Sequence, residues 1–359
     1  MYMEESIENE IFQLYGEDLR CLDSGQPMMH AFHYDEDIQK TIQRCKRNAI
    51  YMLENKANHP MLKRYIIRRI GENKFIYDKT ITVDDVFETT EETDIHKIFK
   101  SFDRTKNMYR IFASTKTKTI CIVWSHAVMD GVTGSVGAYT LFGKAIIDIE
   151  PIQQPPFILQ KYYAAETFIK LRDFLRDSHI TTDMEWPRFH TTTMKLTDIK
   201  TIAKKNQISF PATACALYVT QLFNGLPQSV KYLKVFVSVY IKNENRFNNY
   251  SVIPIIVYRD NSSPVEVNRL LSENKTMLFG FHELFRTNLL TNLKSRVDYL
   301  KPDVIFTPMK NNEDTGHAKL NRILVYNYSS SAKIYACGLQ CGPDNFYINS
   351  SIRTSALTM

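Results

Sequence analysis

The chain has 359 residues, enough for two domains or one large two-lobed unit, and its 44% hydrophobic against 23% charged residues exclude a disordered chain. With 45 Lys and Arg against 39 Asp and Glu, the formal charge of +6 is scattered along the chain, so nucleic acid is not an expected partner. Apolar runs such as Val252 to Tyr258 are far shorter than the about 20 residues of a membrane span, and the acidic N-terminus does not read as a secretory signal, so no transmembrane segment and a cytoplasmic location are expected.

Six cysteines are too few and too dispersed for a disulfide framework. Cys337 and Cys341 form the one close pair but have no second Cys/His pair at ligand spacing, so no metal is expected.

In chain order, Ile38, Ile42, Cys45, Ala49 and Met52 recur at spacings of four and three, which predicts an amphipathic helix over 37–55. Met61 to Ile70 and Lys74 to Tyr77, divided by Gly71-Glu-Asn, read as paired strands, and Asp94 to Phe102 as a short helix. Asn107 to Ser114 alternates and Thr119 to Trp124 is a continuous β-branched run, the pattern of an antiparallel hairpin. Val132, Val136, Tyr139 and Phe142 then give a second helical face, so the local architecture is strand, sharp loop, helix.

The Pro-rich stretch Pro151 to Pro156 is the expected crossover between residues 1–157 and 158–359, the N-terminal and C-terminal lobes. Beyond it, helices are expected at Tyr162 to Arg176, from Thr197, at Ala212 to Phe223 and over Val265 to Leu290. Strands are expected at Phe189 to Leu196, Val235 to Ile241, Tyr250 to Tyr258, Arg322 to Tyr328, Lys333 to Cys337 and Phe346 to Ile352. This mixture, without a repeat or strict βαβ alternation, points to an α+β fold of two lobes, each a mixed or mostly antiparallel sheet flanked by helices.

The stretch most informative about chemistry is Ser125-His126-Ala-Val-Met-Asp130-Gly131, which presents a histidine at the end of a buried strand with an aspartate four residues on. An imidazole titrates at about pH 6.5 when unperturbed, so His126 is a candidate general base. The alternative is structural: Asp130-Gly131 is a common turn dipeptide, Asp130 can cap the following helix, and His126 is then an ordinary packed histidine. His30 and His33, three apart on a predicted strand, point to opposite faces and read as structural or surface residues, while Trp124 is expected to fill core beneath the motif.

The heptad resembles the His-His-x-x-x-Asp-Gly signature of the superfamily of chloramphenicol acetyltransferase and peptide-synthetase condensation domains. The likeness is closest to the wax ester synthase/diacylglycerol acyltransferase branch. His126, Asp130 and Gly131 match the signature, and Ser125 stands in place of its first histidine. Leu22-Asp23 with Pro27 to His30, His59-Pro to Lys63 and Phe102 to Arg110 are similar to the family's earlier segments, in the same order. Leu196 to Ala203, Val237-Ser238 to Lys242 and Asn249-Tyr-Ser251 resemble its second-lobe segments. Lys63 stands where many members carry an arginine that pairs with the motif aspartate, so Arg64, Arg110 or Arg259 are the alternatives for that role.

The resemblance implies a chloramphenicol acetyltransferase-like fold with its active site in a tunnel between the lobes. It implies an acyltransferase that moves an acyl group from a coenzyme A or carrier thioester to a hydroxyl or amine acceptor. His126 is then the base and Asp130 the structural member of the catalytic motif. Ser125, Gly131, Ser238, Asn249 and Ser251 are candidate substrate contacts. A coenzyme A thioester is implied as co-substrate, no permanently bound cofactor is expected, and the partners are a small-molecule donor and acceptor. The oligomeric state is left open. The competing expectation is a catalytically inactive member of the fold that serves as a binding or structural protein.

Overall fold

The computed structural model describes residues 11–14, 22, 27–34, 37–54, 64–102, 107–131, 133–134, 140–141, 155–174, 177–184, 187–241, 250–286, 302–309, 320–327, 332–341 and 344–358. The chain divides into two units, Met1–Ile149 with Thr315–Arg322, and Glu150–Asp314 with Ile323–Met359.

Strands β2 (Pro27–Tyr34), β5 (Phe87–Thr90), β6 (Tyr109–Ser114) and β7 (Thr119–Ser125) of the first unit and β12 (Leu320–Asn327), which starts in that unit and passes out of it after Arg322, form one sheet in the order β12-β2-β7-β6-β5. β7 lies in the middle and all seven of its residues are buried, which its unbroken apolar run requires, because a strand covered on both faces loses the polar alternation of a half-exposed one. It pairs antiparallel with β6 from Tyr109↔Trp124 to Ser114↔Thr119, and with β2 from Pro27↔Ser125 to His33↔Thr119. The predicted hairpin is therefore present, with Lys118 in the left-handed region at φ 50° to close its turn.

Helix α1 (Ile38–Glu54) buries Ile38, Ile42, Cys45, Ala49 and Met52, the stripe read from the sequence. Two short helices, α2 (Val83–Val86) and α3 (Ile95–Ser101), follow, and the Asp94 carboxylate caps the second by accepting from the His96 backbone N–H at 2.8 Å. A small sheet of β1 (Ile11–Phe12), β4 (Lys74–Tyr77) and β3 (Ile67–Gly71) holds the remaining strands. The strand expected from Met61 begins at Ile67; residues 61–63 lie outside the described residues and Arg64–Ile66 is a tight 3₁₀ turn whose Tyr65 and Ile66 are buried.

The second unit contains one sheet in the order β10-β9-β11-β13-β14-β8. Its strands are β8 (Arg188–Lys195), β9 (Tyr232–Tyr240), β10 (Tyr250–Tyr258), β11 (Val304–Met309), β13 (Ile334–Cys341) and β14 (Asn345–Ile352). The neighbours β9/β11 and β11/β13 are parallel and the others antiparallel, so both large sheets are mixed. Asp303 ties the parallel strands at their start: its carboxylate accepts from the Lys234 backbone N–H at 2.8 Å and faces the Lys333 ammonium at 3.2 Å.

Helices α4 (Phe157–Lys170), α5 (Leu196–Asn206), α6 (Phe210–Gly225), α7 (Pro264–Glu273) and α8 (Met277–Arg286) complete this unit. α6 begins where the Ser209 hydroxyl accepts from the Ala212 N–H at 3.3 Å, with Pro211 in the first turn. It packs its Cys215, Tyr218, Val219 and Leu222 into the main core with Val235, Val257, Phe306 and Ile348.

The mostly helical stretch expected over Val265 to Leu290 is present as two helices up to Arg286, the last described residue there, because Asn274 leaves helical geometry at φ −97°, ψ 7° and its side chain donates to the Pro254 carbonyl at 2.9 Å. One expectation is corrected. The helix expected from Tyr162 begins at Phe157, straight after Pro156, and ends at Lys170, where the 3₁₀ turn Leu171–Phe174 takes over.

Candidate functional site

β7 ends at Ser125, and the chain turns through His126 to Met129 before helical geometry resumes at Gly131. Ser125 is paired across β2 with Pro27, its N–H donates to the Met108 carbonyl at 2.8 Å, and its hydroxyl accepts from the Ala127 N–H at 3.3 Å. The residue that stands in place of the signature's first histidine thus shapes the turn. His126 follows at the apex and is 8% exposed, between Ser125 and the fully buried Ala127.

Asp130 is buried and its carboxylate accepts from the Thr133 N–H at 2.8 Å, while its carbonyl accepts from the Gly134 N–H at 3.0 Å. That is helix capping by a carboxylate, favoured further by the positive end of the helix dipole. Thr133 is itself a node: its hydroxyl accepts from the Arg64 guanidinium at 2.8 Å and its carbonyl from the Tyr65 hydroxyl at 2.6 Å. Arg64 therefore reaches the start of this helix, next to the motif aspartate. Arg110 instead pairs with Glu88 at 2.6 Å, and Arg259 donates to the carbonyls of Val230, Phe223, Leu226 and Pro227 at the end of α6. Those two are thereby removed from the alternatives for supporting Asp130.

Trp124 lies beneath the turn with no exposed surface, as expected of a core residue. Its indole N–H donates to the Met129 carbonyl at 3.1 Å, and Gly134 rests on its ring so closely that a Cβ there would fall 2.2 Å from the ring carbon Cζ2. Glycine at 134 is thus a packing requirement, one the sequence pattern does not reveal. Gly131 has more space, its imagined Cβ standing 3.9 Å from Met28.

The ring of His30 meets Trp124 edge-on at 4.8 Å, and burial pushes its pKa down to about 3. His33, by contrast, binds the Thr119 hydroxyl through Nδ1 at 2.8 Å, so both residues are structural, as the sequence implies.

Because the folded pKa of His30 lies below the usual value of about 6.5, the unfolded chain takes up a proton that the folded chain refuses between those two values. The stability this contributes is complete above about pH 6.5 and is lost as pH falls towards 3. Urea unfolding from pH 7 to pH 5 is expected to show His30→Leu losing less stability than the wild type, by on the order of 1 to 2 kcal/mol. Equal losses in the two proteins would remove His30 as a source of acid sensitivity.

The structure brings Ser125, His126, Asp130 and Gly131 into one turn of the first unit. Ser238 and Ser251 lie in the second unit, on β9 and β10. Ser238 accepts from the Thr307 hydroxyl at 3.1 Å and is half-buried, whereas Ser251 is fully buried and donates its hydroxyl to the Leu278 carbonyl at 2.5 Å. Asn249 lies outside the described residues.

No protein-family model matches the sequence, and no curated protein matches it. Solved structures do. Trichothecene 15-O-acetyltransferase from Fusarium sporotrichioides superposes with a TM-score of 0.66 at 11% identity, over 100% of this chain and 94% of that one. The first condensation domain of the calcium-dependent antibiotic synthetase gives 0.62 at 10% identity, over 97% and 92% of the two chains. Wax ester synthase/diacylglycerol acyltransferase from Marinobacter aquaeolei gives 0.59 at 12% identity, over 96% and 94%.

The class is thus settled at the level of architecture: this is an α+β protein with the two-lobed fold of chloramphenicol acetyltransferase and the condensation domains. Among the described residues no helix is long and apolar enough to cross a membrane.

Proposed function

We propose that the protein transfers an acyl group from a thioester of coenzyme A, or of a carrier-bound phosphopantetheine, to a hydroxyl or amine acceptor. The observation that carries this reading is the motif turn itself. A histidine stands at the end of a buried strand, on a loop fixed by the Asp130 cap and the Trp124 indole, and the chain around it has the fold of acyltransferases and condensation domains. Such fixing is what a general base needs, since a base contributes only when its ring is held in one orientation.

In the proposed reaction His126 removes the proton of the acceptor as the acceptor's oxygen or nitrogen attacks the thioester carbonyl. The tetrahedral oxyanion collapses, the carbon–sulfur bond breaks, and the imidazolium returns the proton to the departing thiolate. No acyl-enzyme forms. Asp130 works at a distance from the reacting atoms by holding the turn to the helix through Thr133.

The other reading, a binding or structural protein of the same fold, draws on the burial of His126 and on Ser125 at the place of the first signature histidine. One assay separates the two. Purified protein is given short- and long-chain acyl-CoAs with alcohol or amine acceptors, and free thiol is followed. Release that requires the acceptor supports transfer; no acceptor-dependent release with any pair assigns the chain to the non-catalytic reading.

A further inference from the structure

Helix α4 presents its apolar side outwards. Ile158, Tyr162 and Ile169 are 63% to 77% exposed, and Leu159, Ala165 and Phe168 are exposed beside them. Positions 158, 162, 165 and 169 follow the i, i+4, i+7, i+11 spacing of a single helical stripe. The opposite side is committed to α8. There Thr167 meets Gly280 so closely that a Cβ on the glycine would stand 1.9 Å from the threonine hydroxyl, and Tyr163 stacks on Phe279 with ring centres 5.7 Å apart. Lys161 also pairs with the buried Glu283. The helix is thus seated by one face, and its stripe is held out rigidly by the other.

The stripe is complementary to itself. Reversed about its midpoint between Tyr163 and Ala164, Ile158 falls opposite Ile169 and the large Tyr162 opposite the small Ala165. That is the arrangement of an isologous, two-fold antiparallel contact. The five large side chains offer on the order of 500 Å² per copy, which two copies together bring to about the 1,000 Å² floor of a specific interface. A lipid surface fits less well, because an interfacial helix carries a surplus of basic groups. Here the two lysines of α4 already face carboxylates, Lys161 with Glu283 and Lys170 with Glu166.

We propose that the outward stripe of α4, Ile158, Tyr162, Ala165 and Ile169, is a homodimer interface in which two copies of this helix pack antiparallel. Sedimentation from about 1 to about 100 µM is expected to show the wild type passing from one copy to two. The double variant Ile158→Asp/Ile169→Asp and the single variant Ala165→Arg are expected to remain single copies throughout. Because all three positions are exposed, their thermal midpoints and circular dichroism should match the wild type.

A wild type that stays a single copy over the whole range overturns the proposal. If that single copy also pellets with vesicles of phosphatidylcholine and phosphatidylglycerol, the stripe belongs to a lipid surface instead. Association of both variants at wild-type strength, with their folding intact, overturns it equally by placing any dimer elsewhere.

Discussion

Replacing His126 by alanine is expected to lower the acceptor-dependent rate by about 10² to 10⁴ while the protein stays folded. The size of the effect follows from the proposed role of the imidazole as general base. Without the imidazole the acceptor must lose its proton to water, but binding of the thioester is unaffected, so the loss appears in kcat with little change in KM for the donor. Asp130→Ala makes the contrast. It deletes the acceptor of a buried N–H, that of Thr133, and is expected to cost about 1 to 3 kcal/mol of stability along with activity. Asp130→Asn keeps an oxygen for that N–H and should recover most of both. Kinetics and thermal melts on the three variants test the division of labour: a His126→Ala protein as active as the wild type removes the imidazole from the reaction.

The second large effect is expected at Trp124. Truncation to alanine should destabilise by about 3 to 5 kcal/mol, the range for deleting a large buried aromatic and leaving a cavity. Here the ring is fully buried and is contacted by His30 and Gly134. Trp124→Phe isolates the polar half of the effect. It keeps an aromatic ring but removes the indole N–H, so the carbonyl of the fully buried Met129 loses its partner, at about 1 to 3 kcal/mol.

Because Met129 lies between His126 and Asp130, Trp124→Phe should also slow transfer more than it weakens donor binding. Denaturant unfolding measures the first consequence and a comparison of kcat with KM the second. A phenylalanine variant with wild-type stability and rate would reduce Trp124 to filler.

Much of this was legible in the chain because the signals are local. The stripe of α1, the alternation and β-branched run of β6 and β7, and the apolar block of β10 each lie within a few turns of chain, where the side-chain period reports the element directly. β5 and β11 carry no such signal. Phe87-Glu-Thr-Thr90 is short and polar, and Pro308 interrupts Val304 to Met309 as a strand pattern. Both become strands through parallel pairing with β6 and β13, partners that lie outside their own stretches of chain.

At the site the histidine, aspartate and glycine of the motif were readable as a spacing, as was the burial of Trp124. Of their supports, only Arg64 was readable, as one of three candidate arginines. Arg64 and Tyr65 reach Thr133 from residues 69 and 68 positions earlier, and Gly134 is required only because the Trp124 ring arrives against it.

By itself, then, the sequence determined the kinds of element, the α+β class and the heptad that places His126 beside a capping aspartate, since these depend on residues adjacent in the chain. The tertiary structure alone decided strand order, the split at Asn274, which arginine serves the motif helix, and which face of α4 is left outside. Those outcomes depend on close packing and on buried polar groups finding partners distant in sequence, and periodicity along a chain carries no record of either.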